Sequence, residues 1–362
     1  MLRVLHTESS EGWGGQENRT FREMHYLREH GHAVAVAAPP TSQMFRRATE
    51  AGFVAEPVVM RRSFDLRAVW RLARFMREHR IQVVNTHSSR DTILAGMAAR
   101  FACGRPLVVR TRHLILPISS LFTYATLPDH VVSVSEAVRQ SLIAQGVPAP
   151  HLSTVSTGID FSRFQENLLP AGLHRELGLP ADCLLVGLIA VLRAKKGGGD
   201  FLSAVPQVLA KHPGARFVIV GDGPQEAKLR QRVQDSDLNG RVFLLGRRVD
   251  IPNILAELDL FVLPTHEEAL GTAYLEAQAM RVPVIGTRVG GVPEALRDGE
   301  SGLLVPAHDP AALAEAINEL LGDPVRRQRM GEVGRQFALT SYGLERMGDE
   351  MVALYSRLLE QR

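Results

Sequence analysis

The chain has 362 residues, 45% apolar and 22% charged, a composition ordinary for a soluble globular protein and a length that suits two domains with separate cores. No apolar run reaches the roughly 18 residues of a membrane-spanning helix, so none is expected. A net charge of +3 gives no reason to expect a nucleic-acid partner, and Cys103 and Cys183 match no metal or redox spacing, so they read as buried thiols of a reducing compartment.

The opening residues MLRVLHTE are too brief and too strand-like for a secretion signal, so a cytoplasmic protein is expected. Met1 to His6 reads as a buried strand. The polar, glycine-rich stretch TESSEGWGGQE then leads into a helix over Asn18 to Glu29. This outline suits phosphate, yet it completes neither G-x-G-x-x-G nor G-x-x-x-x-G-K-[ST], and a merely connecting glycine turn is its rival. Strands follow at Ala33 to Ala38 and Phe53 to Val59, with helices at Ser42 to Ala51 and Asp65 to His79.

The last of these helices places Leu66, Val69, Trp70, Ala73 and Met76 on one side and Arg67, Arg71 and Arg74 along another. The wider segment Arg61 to Arg80 carries most of the first half's positive excess. Such a helix suits weak contact with an anionic membrane; the alternative is a solvated face on a helix docked against a sheet. A strand at Ile81 to Thr86 ends in His87, and one at Leu107 to Arg110 runs into Arg110-Thr111-Arg112-His113. Both histidines fall where a side chain at a sheet's carboxyl edge faces a ligand. His130 to Val134 and Leu152 to Val155 are the last strands of this half. The aperiodic segment from Phe161 to Leu179 reads as a linker.

The second half repeats the alternation. Strand Leu184 to Ala190 leads to Leu192-Arg193-Ala194-Lys195-Lys196-Gly197, and strand Arg216 to Val220 to the turn Gly221-Asp222-Gly223-Pro224. After strand Val242 to Leu245 and a short helix, the apolar run Leu258 to Leu263 opens the stretch Thr265 to Glu294. Here a loop with Glu267 and Glu268 precedes a helix for which Thr272 is the expected cap, with Gly271 allowing close approach of a ligand. A helix start offers amides to a phosphate, and the acids Glu268 and Glu276 can accept from sugar hydroxyls. The rival reading is a helix whose acids merely answer its dipole. Two β-α-β series imply an α/β protein of two doubly wound, Rossmann-like parallel sheets whose ligand loops lie at the carboxyl edges of the strands.

The ordered set Gly14-Gly15-Gln16-Glu17, Ser156-Thr157-Gly158-Ile159-Asp160, Leu192-Arg193 with Lys196-Gly197, Gly221-Asp222-Gly223-Pro224, and Glu268 with Glu276 before Pro283-Val284-Ile285 and Gly290-Gly291 resembles the retaining group 1 (family 4) glycosyltransferases of GT-B fold. The resemblance implies an acceptor-binding domain over 1–170, a nucleotide-sugar domain over 181–340, and a helix over 341–362 crossing back to the first domain, with the two domains facing a central cleft.

It further implies that Glu276 binds the donor ribose and Glu268 the donor sugar. Arg193 and Lys196 neutralise the diphosphate, although Lys195 competes with Lys196 for that role. The amides of Leu270, Gly271 and Thr272 assist, and Gly14, Gly15 and Gly223 line the donor. His113 stands near the reacting sugar, with His87, Glu17 and Arg112 on the acceptor side. The implied partners are a nucleotide-diphosphate sugar and a glycan or lipid-linked acceptor. No D-x-D element calls for a metal, and Thr265-His266-Glu267-Glu268 is not H-E-x-x-H, so no cofactor is expected. Alternatives are a sugar-nucleotide epimerase of similar fold, which needs no acceptor, and a non-catalytic nucleotide-sugar-binding protein.

Overall fold

The computed structural model describes residues 1–102, 104–165 and 168–362, so Cys103 lies outside the described residues. The chain forms two units, one of Met1–Gly158 with Leu344–Arg362, the other of Ile159–Gly343.

In the first unit the strands are β1 (Arg3–Thr7), β2 (Ala33–Ala38), β3 (Val54–Pro57), β4 (Val83–Thr86), β5 (Leu107–Arg112), β6 (His130–Ser133) and β7 (Leu152–Thr154). They form a seven-stranded parallel sheet in the order β3-β2-β1-β4-β5-β6-β7. The register sets His6 beside Asn85 and Asn85 beside Val109. Strands β1, β4 and β5 read as apolar runs rather than alternating patterns because helices cover both faces of the sheet. Their apolar side chains are divided among separate clusters, with Leu5 and Val84 in one and Val4, Val83 and Val109 in another.

The helix Gly15–Glu29 begins earlier than the expected Asn18. Glu17, its third residue, accepts from the Gly14 N–H at 2.8 Å and so satisfies the amide at the helix entrance. The final helix, Leu344–Glu360, packs on it: Met347, Met351, Leu354 and Tyr355 join Tyr26 and Leu27 in one core cluster. At Gly348 the helices touch so closely that a Cβ would lie 2.2 Å from the Tyr26 ring.

The second unit contains β8 (Leu185–Ile189), β9 (Arg216–Val220), β10 (Val242–Gly246), β11 (Leu260–Val262), β12 (Val284–Thr287) and β13 (Gly302–Val305), in the order β10-β9-β8-β11-β12-β13. The segment expected to be a linker belongs to this unit. Its Phe164 and Leu173 are buried in the core, and Glu257 gathers its turn by accepting from the Leu173 N–H at 3.0 Å and bonding His174 Nδ1 at 3.1 Å. The unit therefore starts at Ile159 rather than after residue 170, and runs to Gly343.

Both sheets share one pattern, in which the strand order reverses beside the first strand, between β1 and β4 and between β8 and β11. Ligands of such sheets bind where the order reverses, outside the carboxyl ends of the strands. Among the described residues no helix is long and apolar enough to cross a membrane.

Candidate functional site

In the second unit the chain leaves β8 and makes one 3-10 turn, Ala194–Lys196, at the carboxyl edge of the sheet. Gly197 closes that turn with φ +71°, and a Cβ there would lie 1.8 Å from the carbonyl oxygen of Pro264, so only glycine lets the turn rest on the end of β11. The contact is then sewn by the Lys195 carbonyl, which accepts from the His266 N–H at 2.7 Å and the Thr265 hydroxyl at 2.9 Å. On its other side the acid loop is held by Gly291. Its N–H donates to the Glu268 carbonyl at 3.0 Å, and a Cβ there would lie 2.0 Å from the Ala269 oxygen.

These backbone contacts bring two acids to two lysines. Lys195 Nζ lies 2.7 Å from Glu267 Oε1, and Lys196 Nζ pairs with Glu268 Oε2. The second pair is the more enclosed, its side chains 20% and 17% exposed against 35% for each member of the first. Arg193 caps the same 3-10 turn from an exposed position. The Gly221-Asp222-Gly223-Pro224 turn lies alongside, with the Leu192 N–H donating to the Asp222 carbonyl at 2.8 Å and the Gln225 N–H to the Leu192 carbonyl at 2.9 Å.

The helix after the acid loop spans Thr272–Ala279, and its cap differs from the expectation. Gly271, in the left-handed region at φ +91°, is the N-cap, and Thr272 is the first helical residue. Glycine makes the turn into the helix unaided, so no side chain bonds its first amides and no acid stands in its first turn. Leu270 is buried beneath the turn, and the Tyr274 hydroxyl, donating to the Leu263 carbonyl, fixes the helix to the end of β11. Glu276 is half-buried, further along the same helix. The arrangement offers amides, a dipole end and three basic side chains to an anion.

In the first unit β4 and β5 deliver His87 and His113 as expected, and β1 adds His6. His6 Nδ1 lies 3.2 Å from His87 Nε2, and His87 Nδ1 lies 3.1 Å from His113 Nε2. Burial, then the positive charges around them, holds His87 and His113 well below the usual imidazole range, and burial also lowers His6. The three are neutral at pH 7, each with one N–H.

Two neighbours set the direction of the chain. The Thr20 hydroxyl donates to the Gln16 carbonyl at 3.0 Å, so toward His87 Nε2, 3.4 Å away, it acts as acceptor. The Glu23 carboxylate, 3.8 Å from His6 Nε2, favours an N–H there. Both place the hydrogens on Nε2 throughout, leaving His113 Nδ1 with a lone pair able to accept a hydroxyl hydrogen.

Below this chain, Glu23 is held by Arg19 at 3.2 Å and by the Tyr355 hydroxyl at 2.7 Å, all three fully buried, and Asn85 donates to Tyr355 at 2.8 Å. Glu8, at the end of β1, is pushed up to about 8 by burial and by nearby Asp91, which burial also raises. Glu8 accepts from Gln16 at 2.7 Å and from the Ser10 N–H at 2.9 Å. Sequence reasoning missed His6, Glu8, Arg19, Glu23 and Asp91. The one available signal was the run of polar residues closing β1.

Two residues expected on the acceptor side serve the fold as well. Glu17 caps the helix at Gly14, and the Arg112 guanidinium bonds the carbonyls of Leu114 at 2.7 Å and Leu116 at 2.5 Å. Arg110 is buried beside them, donating to the Thr123 carbonyl at 2.8 Å with its guanidinium carbon 3.6 Å from the centre of the Tyr124 ring.

Comparison with known proteins agrees with this division. Residues 13–163 match the family model Glycosyltransferase Family 4, and residues 182–323 match Glycosyl transferases group 1. The chain is 30% identical over 308 residues to the GDP-mannose-dependent alpha-(1-6)-phosphatidylinositol monomannoside mannosyltransferase of Mycolicibacterium smegmatis, covering 81% of each. It is 35% identical over 213 residues to the GDP-mannose-dependent monoacylated alpha-(1-6)-phosphatidylinositol monomannoside mannosyltransferase of Corynebacterium glutamicum. That match takes in 56% of this chain and 55% of the relative, about half its length. Among solved structures, a glycosyltransferase from Rickettsia africae superposes with a TM-score of 0.89 at 20% identity, covering 100% of this chain and 99% of that one, and the shared fold is GT-B. Two family models in succession and a relative at 30% identity over four fifths of the chain agree: the chain belongs to the group 1, family 4 glycosyltransferases.

Proposed function

We propose that this glycosyltransferase moves a hexose from a nucleotide-diphosphate sugar to a hydroxyl of a glycan or lipid-linked acceptor with retention of configuration, in the synthesis of a cell-surface polysaccharide or glycolipid. The observation that carries the reading is the Lys196–Glu268 pair beside an uncapped helix N-terminus at the point where the second sheet reverses its order. A bound diphosphate competes with Glu268 for Lys196 and takes the amides of Gly271 and Thr272. Arg193 answers the charge that grows as the sugar–phosphate bond breaks, and stabilising that charge lowers the barrier with no metal in the reaction. Freed from Lys196, Glu268 accepts from the sugar hydroxyls, while Glu276 takes the ribose. The acceptor's proton leaves with the departing phosphate oxygen, and the first unit by itself offers the His113 Nδ1 lone pair to a hydroxyl. GDP-mannose is the first donor to test, because both mannosyltransferase relatives are named for it.

The lipid-linked acceptor draws support from the helix Leu66–Glu78. It buries Val69, Leu72, Phe75 and Met76 but turns Leu66 and Trp70 outward, 75% and 63% exposed, so the apolar side predicted as one face is divided between core and surface. Phe64, 74% exposed, and exposed Arg61, Arg62 and Arg67 accompany them. Apolar side chains ringed by arginine suit the interface of an anionic bilayer and imply weak peripheral attachment.

The test incubates the enzyme with GDP-mannose and the UDP, ADP and TDP sugars, with and without phosphoinositol and glycan acceptors, and follows nucleotide release and the anomeric configuration of the product. Acceptor-dependent release with a retained anomer supports the proposal. An inverted product, or an isomerised sugar formed without acceptor, overturns it.

A further inference from the structure

Three metal-ligating side chains outside the proposed donor chemistry meet on the second unit. Asp200 stands in the first turn of the helix Gly198–Lys211, His266 in the loop after β11, and His308 in the turn between β13 and the helix Pro310–Gly322. A carboxylate oxygen and one nitrogen from each ring all lie within 4.8 Å of one another. His266 Nε2 is 2.7 Å from Asp200 Oδ2, and the rings of His266 and His308 lie over each other with centroids 3.7 Å apart and planes inclined by 37°. Asp200 and His266 are half-buried, and His308 is exposed, so the group is anchored below and open to solution above.

An Asp–His hydrogen bond needs no third member, yet a third is held in place here at a cost. His308 has φ +59°, a left-handed conformation that disfavours any residue with a Cβ by about 1 kcal/mol. The next residue, Asp309, caps the following helix by accepting from the Ala312 N–H at 2.9 Å, so the backbone that presents His308 is itself fixed.

Two imidazole nitrogens and one carboxylate oxygen suit zinc, cobalt or nickel; magnesium and calcium take oxygen alone. Bonds of about 2.0–2.2 Å place ligand atoms roughly 3–3.5 Å apart around such an ion. Side-chain rotations closing the gaps by about 1 Å supply that geometry, with water in the remaining positions.

We propose that Asp200, His266 and His308 bind one divalent transition-metal ion of the zinc class. The ion acts as a staple, because its ligands come from three separate segments, two of which also carry donor residues. Asp200 follows Lys196 and Gly197 into their helix, and the His266 N–H already donates to the Lys195 carbonyl. His266 also precedes Glu267 and Glu268 directly. Ligation joins the basic turn, the acid loop and the turn after β13, and leaves the chemistry of transfer to the protein's own cations.

The test uses untagged full-length protein freed of metal by chelation, titrated with Co2+, whose visible absorption reports ligation, and then with Zn2+ in competition. One Co2+ per chain, displaced by Zn2+, and a rise in melting temperature with added Zn2+ are expected. His308→Gly removes a ligand while suiting the left-handed backbone. It should leave the metal-free melting temperature unchanged or higher and weaken Co2+ by at least about tenfold, as should Asp200→Asn. No Co2+ bound by the wild-type protein, or equal affinity in wild type and His308→Gly, overturns the proposal. Every readout is independent of transfer activity.

Discussion

At the scale of single residues the two lysines of the 3-10 turn make opposite predictions. Lys196, paired with the more enclosed Glu268, is the one proposed to meet the diphosphate, so Lys196→Ala should lower kcat/KM by at least about tenfold, a loss of about 1.4 kcal/mol in the transition state. Lys195→Ala removes only the more exposed pair with Glu267 and should change kcat/KM less than about threefold. Steady-state kinetics with a saturating acceptor separates them, and equal losses would transfer the role to both.

Glu8 makes a prediction about pH. Its carboxyl is raised in the folded state to about 8, so the native protein holds a proton that the unfolded chain releases near 4.5. The native state binds the extra proton between those values, and stability falls as pH rises through that window, by at most about 1.4 kcal/mol per pH unit. His87 and His113 are lowered instead, so their contribution is lost only as pH falls below 6.5. From 6.5 to 8 His174, raised against burial by its bonds to the Cys183 carbonyl and Glu257, adds to the decline, so the difference between wild type and Glu8→Gln is what reports Glu8. Thermal melting across that interval should show a declining midpoint in the wild type and a flatter one in Glu8→Gln.

These residues also show what the sequence could and could not disclose. Arg193, Lys196, Glu268 and Glu276 lie within two loops and one helix start, so linear spacing displays them. The histidine chain is assembled by strand order: β1, β4 and β5 are neighbours in the sheet, while His6, His87 and His113 are remote in the chain. No local pattern encodes that adjacency. His87 and His113 were legible only as side chains following strands, and His6, inside a strand, only as part of the polar run that closes β1.

At the scale of elements, period and composition located the strands and most helices but not the work of their ends. The helix Gly15–Glu29 starts at glycines that read as loop, because the stabilising group is the Glu17 side chain reaching back. The helix Thr272–Ala279 starts at a left-handed glycine although a threonine stood ready to cap it. In the helix Leu66–Glu78 the apolar residues exceed what the core can cover, and the surplus is Leu66 and Trp70.

The intrahelical pair of Arg74 with Glu78 and the helix-to-strand pair of Arg71 with Glu56 on β3 lessen the charge on that helix, so apolar insertion should contribute more than electrostatics. In liposome flotation, Leu66→Ser with Trp70→Ser should therefore reduce recovery on anionic vesicles several-fold. Raised salt should reduce it less. Recovery unaffected by the double substitution, or independent of anionic lipid, rules the membrane surface out.

At the scale of the whole molecule, the chain leaves the first unit at Gly158 and re-enters it at Leu344, so the two units differ in how they depend on the C-terminus. Residues 159–343 hold a complete six-stranded sheet and a single core cluster from Ile159 to Tyr342. The first unit is discontinuous. Its sheet is covered in part by Met347, Met351, Leu354 and Tyr355, and the Tyr355 hydroxyl closes on the buried Glu23 beneath the histidines. A chain ended after Gly343 exposes those apolar neighbours, leaves Glu23 and Asn85 without Tyr355, and should lose at least several kcal/mol from the first unit alone. The fragment 159–343 should melt as one cooperative transition and bind GDP or UDP within about tenfold of the full chain, because Arg193, Lys196, Gly271, Thr272 and Glu276 lie inside it and only the expected lining glycines Gly14 and Gly15 lie outside. Hydrogen exchange on the truncated 1–343 chain supplies the complementary measurement. Protection should vanish from β1, β4 and β5 while β8, β11 and β12 retain theirs. Loss of protection in both sheets would show that the final helix supports the whole molecule rather than the unit on which it packs.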